Sequence, residues 1–576
     1  MKKLMLGLVL LVSVFVLFGC GVVVVTTTTT TTTTTPSTTT TTTTSTTTTT
    51  TTSGTTVSGE TTTTTTTTTT PVVYEDLPDD EVTITFWHIY GSGKTALLDE
   101  LISQFEAMYP NVNIEHTSQS DYNTLREKIN LGISVGQVPT MALGYPDHFA
   151  GYVVANAAVK LDNYINSNVV YEITNSASSI FGQTVTTALD LNDFVPSYLA
   201  ENNQYVGGYY YSVPYSKSTE TMAVNRTVLK AHVAEIRALG IQISDEGFLS
   251  HTTPLTWSQL EQLRPILTTG TGETNVSQKK CGYLVNYDSS GNLFINMSRE
   301  WKAGYTNPAG QILINNNVTR AMLNYLKGLF DNETLVLPIM FDQQYGSNNF
   351  KYGDICMTVG STAGVAYNIP SAADPAANLK FGIFNVDFVQ VPQMVANTND
   401  NFTAGGYTGP GALSAVQQGP NIGIFSNASR VEKLYAWLFI KFLIETDNTA
   451  RWAMDTGYLP ARISAYESEV QIRLTPSFSI TYSGFIQIAQ DYWAADGNPG
   501  WAPTDSRWNY LYSSMVANIA KNQNSYYQYD PAFAAGTNSA GSATVRVEAG
   551  YCLEKIITGE YSPEGALNFF LNQVTW

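Results

Sequence analysis

Charge is scarce in this chain. Only 13% of its 576 residues are charged, and 29 lysines and arginines face 47 aspartates and glutamates, a formal net charge of −18. A nucleic-acid partner, which requires clustered cations, is thereby excluded. Histidine is scarcer: residues 88, 116, 148, 232 and 251 show no H-x-x-x-H spacing, so no metal site is expected. Of four cysteines, Cys281, Cys356 and Cys552 show neither CxxC spacing nor disulfide density. One bridge with a leftover thiol and three buried thiols both stay open. No spacing singles out a carboxylate pair or a nucleophile beside its base, so neither catalytic residues nor a cofactor are predicted. The N-terminal apolar run, residues 4–18, falls short of the roughly 20 residues a membrane span needs.

What that run does have is a setting. Lys2 and Lys3 precede it and Leu17-Phe18-Gly19-Cys20 closes it, so residues 1–19 read as a signal peptide. The L-F-G-C ending resembles the lipobox of bacterial lipoproteins, which implies lipid on the Cys20 sulfur, a membrane anchor and an extracellular position. From Thr26 to Thr70 the sequence is almost pure threonine. Without apolar variety it cannot offset ordering entropy, and residues 20–80 are predicted to form a disordered, solvated stalk. Residues 81–576 are long enough for two cores. Their 34 tyrosines and 9 tryptophans, counted over the whole chain, favour hydrogen bonding and stacking over ionic recognition.

Val82, Ile84 and Phe86 alternate with threonines as in a strand; Leu97, Leu98, Leu101, Ile102, Phe105 and Met108 follow at helical spacing up to Pro110; Val112 and Ile114 alternate again. Strand, helix and strand within this length make a βαβ unit and a parallel sheet. Further helices are predicted at 122–133, 257–264, 318–330, 431–443 and 508–520. The class is α/β. Ligands of such sheets collect beyond the carboxyl ends of strands, which singles out Trp87, His88 and Ile89-Tyr90-Gly91. The string from His88 to Thr95, H-I-Y-G-S-G-K-T, imitates a phosphate-binding loop but has His88 where that loop needs its first glycine. It reads instead as a flexible turn onto a helix N-terminus, able to meet a polar or anionic group.

Strings in order along the chain resemble the extracellular solute-binding proteins that serve sugar and glycerol-phosphate importers: I-T-F-W-H at 84–88, F-E-A-M-Y-P-N-V at 105–112, D-Y-N-T-L-R-E-K-I from Asp121, V-G-Q-V-P-T-M-A-L-G-Y-P-D-H ending at His148, S-V-P-Y-S-K-S-T-E-T-M-A-V-N-R at 212–226 and P-L-T-W-S-Q-L at 254–260. F-K-Y-G-D-I-C-M-T-V-G-S, W-L-F-I-K-F-L, T-G-Y-L-P-A-R and P-E-G-A-L complete the series. The resemblance implies a periplasmic-binding-protein-like fold of two discontinuous lobes, 81–222 with about 405–455 and about 223–404 with 456–576, closing on a hinge over a ligand between them. It implies a monomer that delivers a small solute, a carbohydrate first and a glycerol or polyol phosphate second, to an ABC transporter permease. By position in the family strings, Tyr122, Asp147, Ser218, Gly360 and Arg507 are the implied ligand contacts. Thr219 beside Ser218, and the aromatic residues Trp87, Trp257, Tyr407 and Tyr458 near those strings, join them with His88. A surface glycosidase and a stalked adhesin are the alternatives from other classes.

Overall fold

The computed structural model describes residues 10–15, 22–33, 41–52, 72–472, 478–523, 527–528, 531–536 and 540–575. Cys20 and the cleavage point before it lie outside these residues. The chain divides into two compact units. The first comprises Met1–Thr83, Ile102–Ile114 and Asp162–Asp190. In it Leu10–Phe15, Val22–Thr33 and Thr41–Thr52 pair as an antiparallel sheet. β-branched threonine and valine favour extended backbone, and extended segments of like sequence can pair. A second small sheet joins Val73–Asp76, Val169–Glu172 and Thr184–Thr186. Among the described residues no helix is long and apolar enough to cross a membrane.

The second unit, Ile84–Leu101, Glu115–Leu161 and Leu191–Trp576, contains most of two five-stranded sheets. One runs in the order Val213–Pro214, Asn421–Ile424, Met141–Gly144, Val82–His88, Val112–Ser118. Phe86 lies opposite Met141 in its parallel pair, while Asn421–Ile424 runs antiparallel to Met141–Gly144. The other runs Leu335–Val336, Tyr283–Tyr287, Ile355–Ser361, Glu220–Asn225, Val386–Val389. The fold class is α/β, as predicted.

Helices observed at Tyr122–Val135, Trp257–Leu267, Asn317–Asp331, Arg430–Leu443 and Arg507–Gln523 overlap the five expected ones. Local signals set their starts. Asp121 accepts from the backbone N–H groups of Asn123 and Thr124, and Thr256 with Gln259, like Ser429 with Glu432, closes a capping box. The second sheet carries its own core, in which Trp257, Trp301, Leu263, Leu326 and Phe570 are buried. A separate cluster packs Phe485, Tyr482, Met515 and Ala453. Cys281, Cys356 and Cys552 are all buried and free, so of the two open readings the unbridged one holds.

The chain passes between the sheets at adjoining segments. From Val213–Pro214 in the first sheet it runs through Ser216–Thr219 into Glu220–Asn225 in the second. A return segment, 415–421, lies against it: Ser218 and Gln418 exchange both backbone hydrogen bonds, at 3.0 and 2.8 Å. A third segment joins through the Leu459 N–H on the Lys217 carbonyl, 2.6 Å. Gly419 makes the contact possible. Its φ is +90°, and a Cβ there would overlap the Ser216 carbonyl oxygen. Gly419→Ala is expected to destabilise the chain by about 2 kcal/mol or more, because left-handed strain and backbone overlap add. Urea unfolding of both proteins measures it, and an unchanged midpoint and slope would remove this account of the crossing.

Candidate functional site

Five strand ends supply the candidate site. Tyr90 follows Val82–His88, Tyr122 follows Val112–Ser118, Tyr145 follows Met141–Gly144, Asp288 follows Tyr283–Tyr287, and Gly360 closes Ile355–Ser361. Carboxyl ends of parallel strands are where α/β sheets expose loops and helix starts, so this clustering follows from topology.

Tyrosines dominate the cluster. The rings of Tyr122 and Tyr145 lie 4.4 Å apart between centroids, Tyr90 meets Tyr458 at 6.2 Å, and Tyr90 also tilts onto Trp452 at 5.0 Å. Tyr90 exchanges a 2.7 Å hydrogen bond with Ser216 at the crossing. The buried Tyr122 hydroxyl faces Tyr458 yet has no partner of normal hydrogen-bond geometry. Burial, reinforced by neighbouring phenols, raises the pKa of Tyr90, Tyr122 and Tyr145, and pushes Tyr458 up to about 12. All four therefore stay protonated at neutral pH, each able to donate one hydrogen bond and accept others.

Charged groups surround the cluster. Asp147, in the first turn of Pro146–Val154, meets Arg546 of Ser542–Ile557 at 3.2 Å. Burial alone would raise the Asp147 carboxyl, but Arg546, His148 and Arg126 outweigh it and hold it below the usual range. Arg546 also lies over the Tyr145 ring at 5.4 Å. Asp288 accepts from Asn286 at 2.8 Å and from the Gly346 N–H at 2.7 Å, and burial lifts it to about 6. Gly360 lies against it: a Cβ on Gly360 would come within 2.8 Å of Asp288 Oδ2. Lys94 donates to the Ala363 carbonyl at 3.0 Å and has no carboxylate partner.

His88 supports the site from behind. The Tyr90 N–H donates to its Nδ1 at 3.0 Å, which leaves the proton on Nε2. That nitrogen meets His116 Nδ1 at 2.8 Å, and His116 Nε2 meets Asp99 at 2.8 Å. Burial first, then His116, lowers His88 to about 4 against the pull of Asp99, so it is neutral at pH 7 and fixes the turn that carries Tyr90.

The structure thus gathers Tyr122, Asp147, Gly360 and Tyr458 at strand ends and crossing segments. Ser218 and Thr219 sit at the crossing itself, buried, with Thr219 Oγ1 donating to the Val416 carbonyl at 3.1 Å. Trp87 is half-buried on its strand opposite Ala142. Three expected contacts stand elsewhere. Trp257 is 1% exposed within the core of the second sheet, Tyr407 packs on Trp301 and Phe402, and Arg507 pairs with Asp505 at 2.7 Å and stacks on Trp501. The arginine that reaches Asp147 is Arg546. Sequence reasoning placed Tyr90 in the suspect turn without assigning it a role and passed over Lys94 and Tyr145, although both lie in strings it singled out, whereas Arg546 has no local signal.

A family model described as bacterial extracellular solute-binding protein matches residues 100–475, well over half of the chain. The chain belongs to that family. Among curated relatives, the sn-glycerol-3-phosphate-binding periplasmic proteins UgpB of Shigella flexneri and of Escherichia coli K12 are each 23% identical over 403 residues, covering 67% of this chain and 75% of theirs. Among solved structures, UgpB of Mycobacterium tuberculosis in complex with glycerophosphocholine is 17% identical with a TM-score of 0.56, covering 85% of this chain and 96% of that one. The maltose/maltodextrin-binding domain MalE of Bdellovibrio bacteriovorus bound to maltotriose is 14% identical with a TM-score of 0.55, covering 85% and 98%. These likenesses show the fold, which is that of the two-lobed solute-binding proteins.

Proposed function

We propose that this solute-binding protein captures a small polar solute, a mono- or oligosaccharide, at the tyrosine cluster and delivers it to an ABC transporter permease. The observation that carries the reading is the set of neutral phenols from Tyr90, Tyr122, Tyr145 and Tyr458 at strand ends and a hinge segment. Sugars offer apolar faces for rings and hydroxyls for phenols, and such pockets hold them by stacking with a few placed hydrogen bonds. Closure about the 216–219 and 417–421 segments would enclose the solute and present one conformation to the permease. Lipid on Cys20 keeps the protein at the outer face of the membrane, with the threonine-rich segment as spacer.

Thermal-shift screening of the full chain against sugars, polyols and their phosphates tests the reading. A ligand at a hundred times its dissociation constant stabilises the folded state by about 2.7 kcal/mol. One sugar class is expected to raise the melting temperature, and Tyr145→Ala to weaken its binding at least about tenfold, roughly 1.4 kcal/mol. A panel without any shift, against a folded protein, overturns the proposal. Incorporation of labelled fatty acid, abolished in Cys20→Ala, tests the anchor.

A further inference from the structure

The carboxyl of Asp288 has one oxygen in use and one free. It stands at the carboxyl end of the strand Tyr283–Tyr287, and Oδ1 takes both of its side-chain hydrogen bonds, from Asn286 at 2.8 Å and from the Gly346 N–H at 2.7 Å. Among the described residues no group donates to Oδ2. What faces Oδ2 is Gly360 on the neighbouring strand Ile355–Ser361, where even a Cβ would come within 2.8 Å. Nor does Asp288 serve the helix that follows it, because Ser289 caps Ser290–Glu300 by accepting from the Asn292 N–H at 3.2 Å.

This carboxyl also lacks a counter-ion. Burial lifts it to about 6, and only the bonds to Oδ1 oppose the rise, with no lysine or arginine contributing. Other carboxyls that burial raises do have a cation: Arg546 acts on Glu220, Lys441 and Arg462 on Glu445, Arg451 on Asp455, and Lys555 on Glu548. Glu300 shares the lack but belongs to the interior, where it is 1% exposed, accepts from the Met394 N–H at 2.7 Å and lies beside Trp257. Asp288 is only half-buried and stands with the strand-end cluster. Tyr345, 55% exposed, feels the Asp288 charge and in turn acts on Tyr145.

We infer that Asp288 Oδ2 receives a protonated amino group of the captured solute, so that the ligand is an amino sugar held by the tyrosines through its rings and hydroxyls. The inference rests on the solute-binding reading above and adds to it a positive charge on the ligand. A hydroxyl can donate to the same oxygen, but it returns only a hydrogen bond to a carboxylate that has lost water, whereas an ammonium returns the bond and the opposite charge. The exposed Tyr345 ring supplies a π-surface near the same point. Gly360 leaves Oδ2 uncovered, which any side chain there would not. The net charge of −18 draws a cationic solute towards the protein.

Calorimetric titration of the full chain with matched probes at pH 7 tests this: glucose against glucosamine and N-acetylglucosamine, and galactose against galactosamine and N-acetylgalactosamine. The amine of at least one set is expected to bind about tenfold or more tightly than both neutral members, and the N-acetyl member separates charge from the mere presence of nitrogen. Asp288→Asn keeps the shape, removes the charge and should bring that ratio below about threefold. Gly360→Ala keeps the carboxylate but crowds Oδ2, and should lower the ratio as well. Melting temperatures within a few degrees of the wild type confirm that the variants are folded. If amine and neutral members bind alike, or if either variant preserves the ratio, the inference fails and the carbohydrate reading stands. If no member of either set binds, both fail.

Discussion

Replacing Lys217 by methionine is expected to cost about 3–5 kcal/mol of stability, the largest effect of any single side chain at the crossing. Lys217 is fully buried and pairs with Glu201, whose other oxygen accepts from Gln417 at 2.7 Å. The same ammonium donates to the Gly419 carbonyl at 2.7 Å and lies 3.3 Å from Asn421 Oδ1. Burial lowers its pKa, and Glu201 opposes that. Each ion has lost its water, so the pair as a whole contributes little, but removal of one partner strands the other. Methionine fills similar volume, so the loss reports stranded charge rather than a cavity. Lys217→Met combined with Glu201→Gln should recover much of the difference, because it removes both charges. Chemical unfolding of the single and double variants checks this, and equal stability of Lys217→Met and wild type would mean that Glu201 finds water or a proton at little cost.

The parts legible from sequence share one property: they are local. The βαβ unit from Val82 to Ser118 declares itself because period two gives way to period 3.6 and back, and the helices are bounded by caps such as Asp121, Thr256 and Ser429. Strings likewise pointed to Tyr122, Asp147 and Gly360 at strand ends and to Tyr458 just after the helix Thr446–Thr456. Aromatic identity did not separate the strand-end cluster from the core. Trp257 and Tyr407 are packed, since a ring buries well wherever a sheet needs covering. Arg546 was out of reach for a different reason. It projects from within a helix and meets Asp147 across some four hundred residues of sequence, a separation that no local pattern encodes. Arg507, with an aspartate two positions before it, was satisfied within its own turn.

A second buried carboxyl beside the crossing should make stability depend on pH. Glu220, 1% exposed, begins the strand that leaves the crossing. Its carboxyl accepts from the Tyr287 hydroxyl at 2.5 Å, from Asn292 at 2.9 Å, from Asn296 at 3.2 Å and from Gln418 at 3.1 Å. Burial raises its pKa from 4.5 to about 7; the bonds from Tyr287 and Asn292 hold it lower than burial alone would, and Asp288 adds to the rise. The folded state therefore binds this proton more tightly than the unfolded chain does. Its stabilising contribution is complete below about pH 4.5 and is lost as pH rises through about 7. The difference corresponds to roughly 3 kcal/mol. Glu220→Gln keeps the shape and removes the titration. Asp288 and Glu300, also raised by burial, give the parent curve slopes of the same sign, so the informative quantity is the difference between the two proteins. That difference should be flat below pH 4.5, shift progressively in favour of Glu220→Gln up to about pH 7, and level off above it. Parallel curves across the whole range would mean that Glu220 is ionised in the folded state at little cost, with its four donors supplying what burial takes away. Gln418 belongs to the return segment of the crossing and Asn292 to the helix Ser290–Glu300, so ionisation of Glu220 also changes how tightly those two elements are held together.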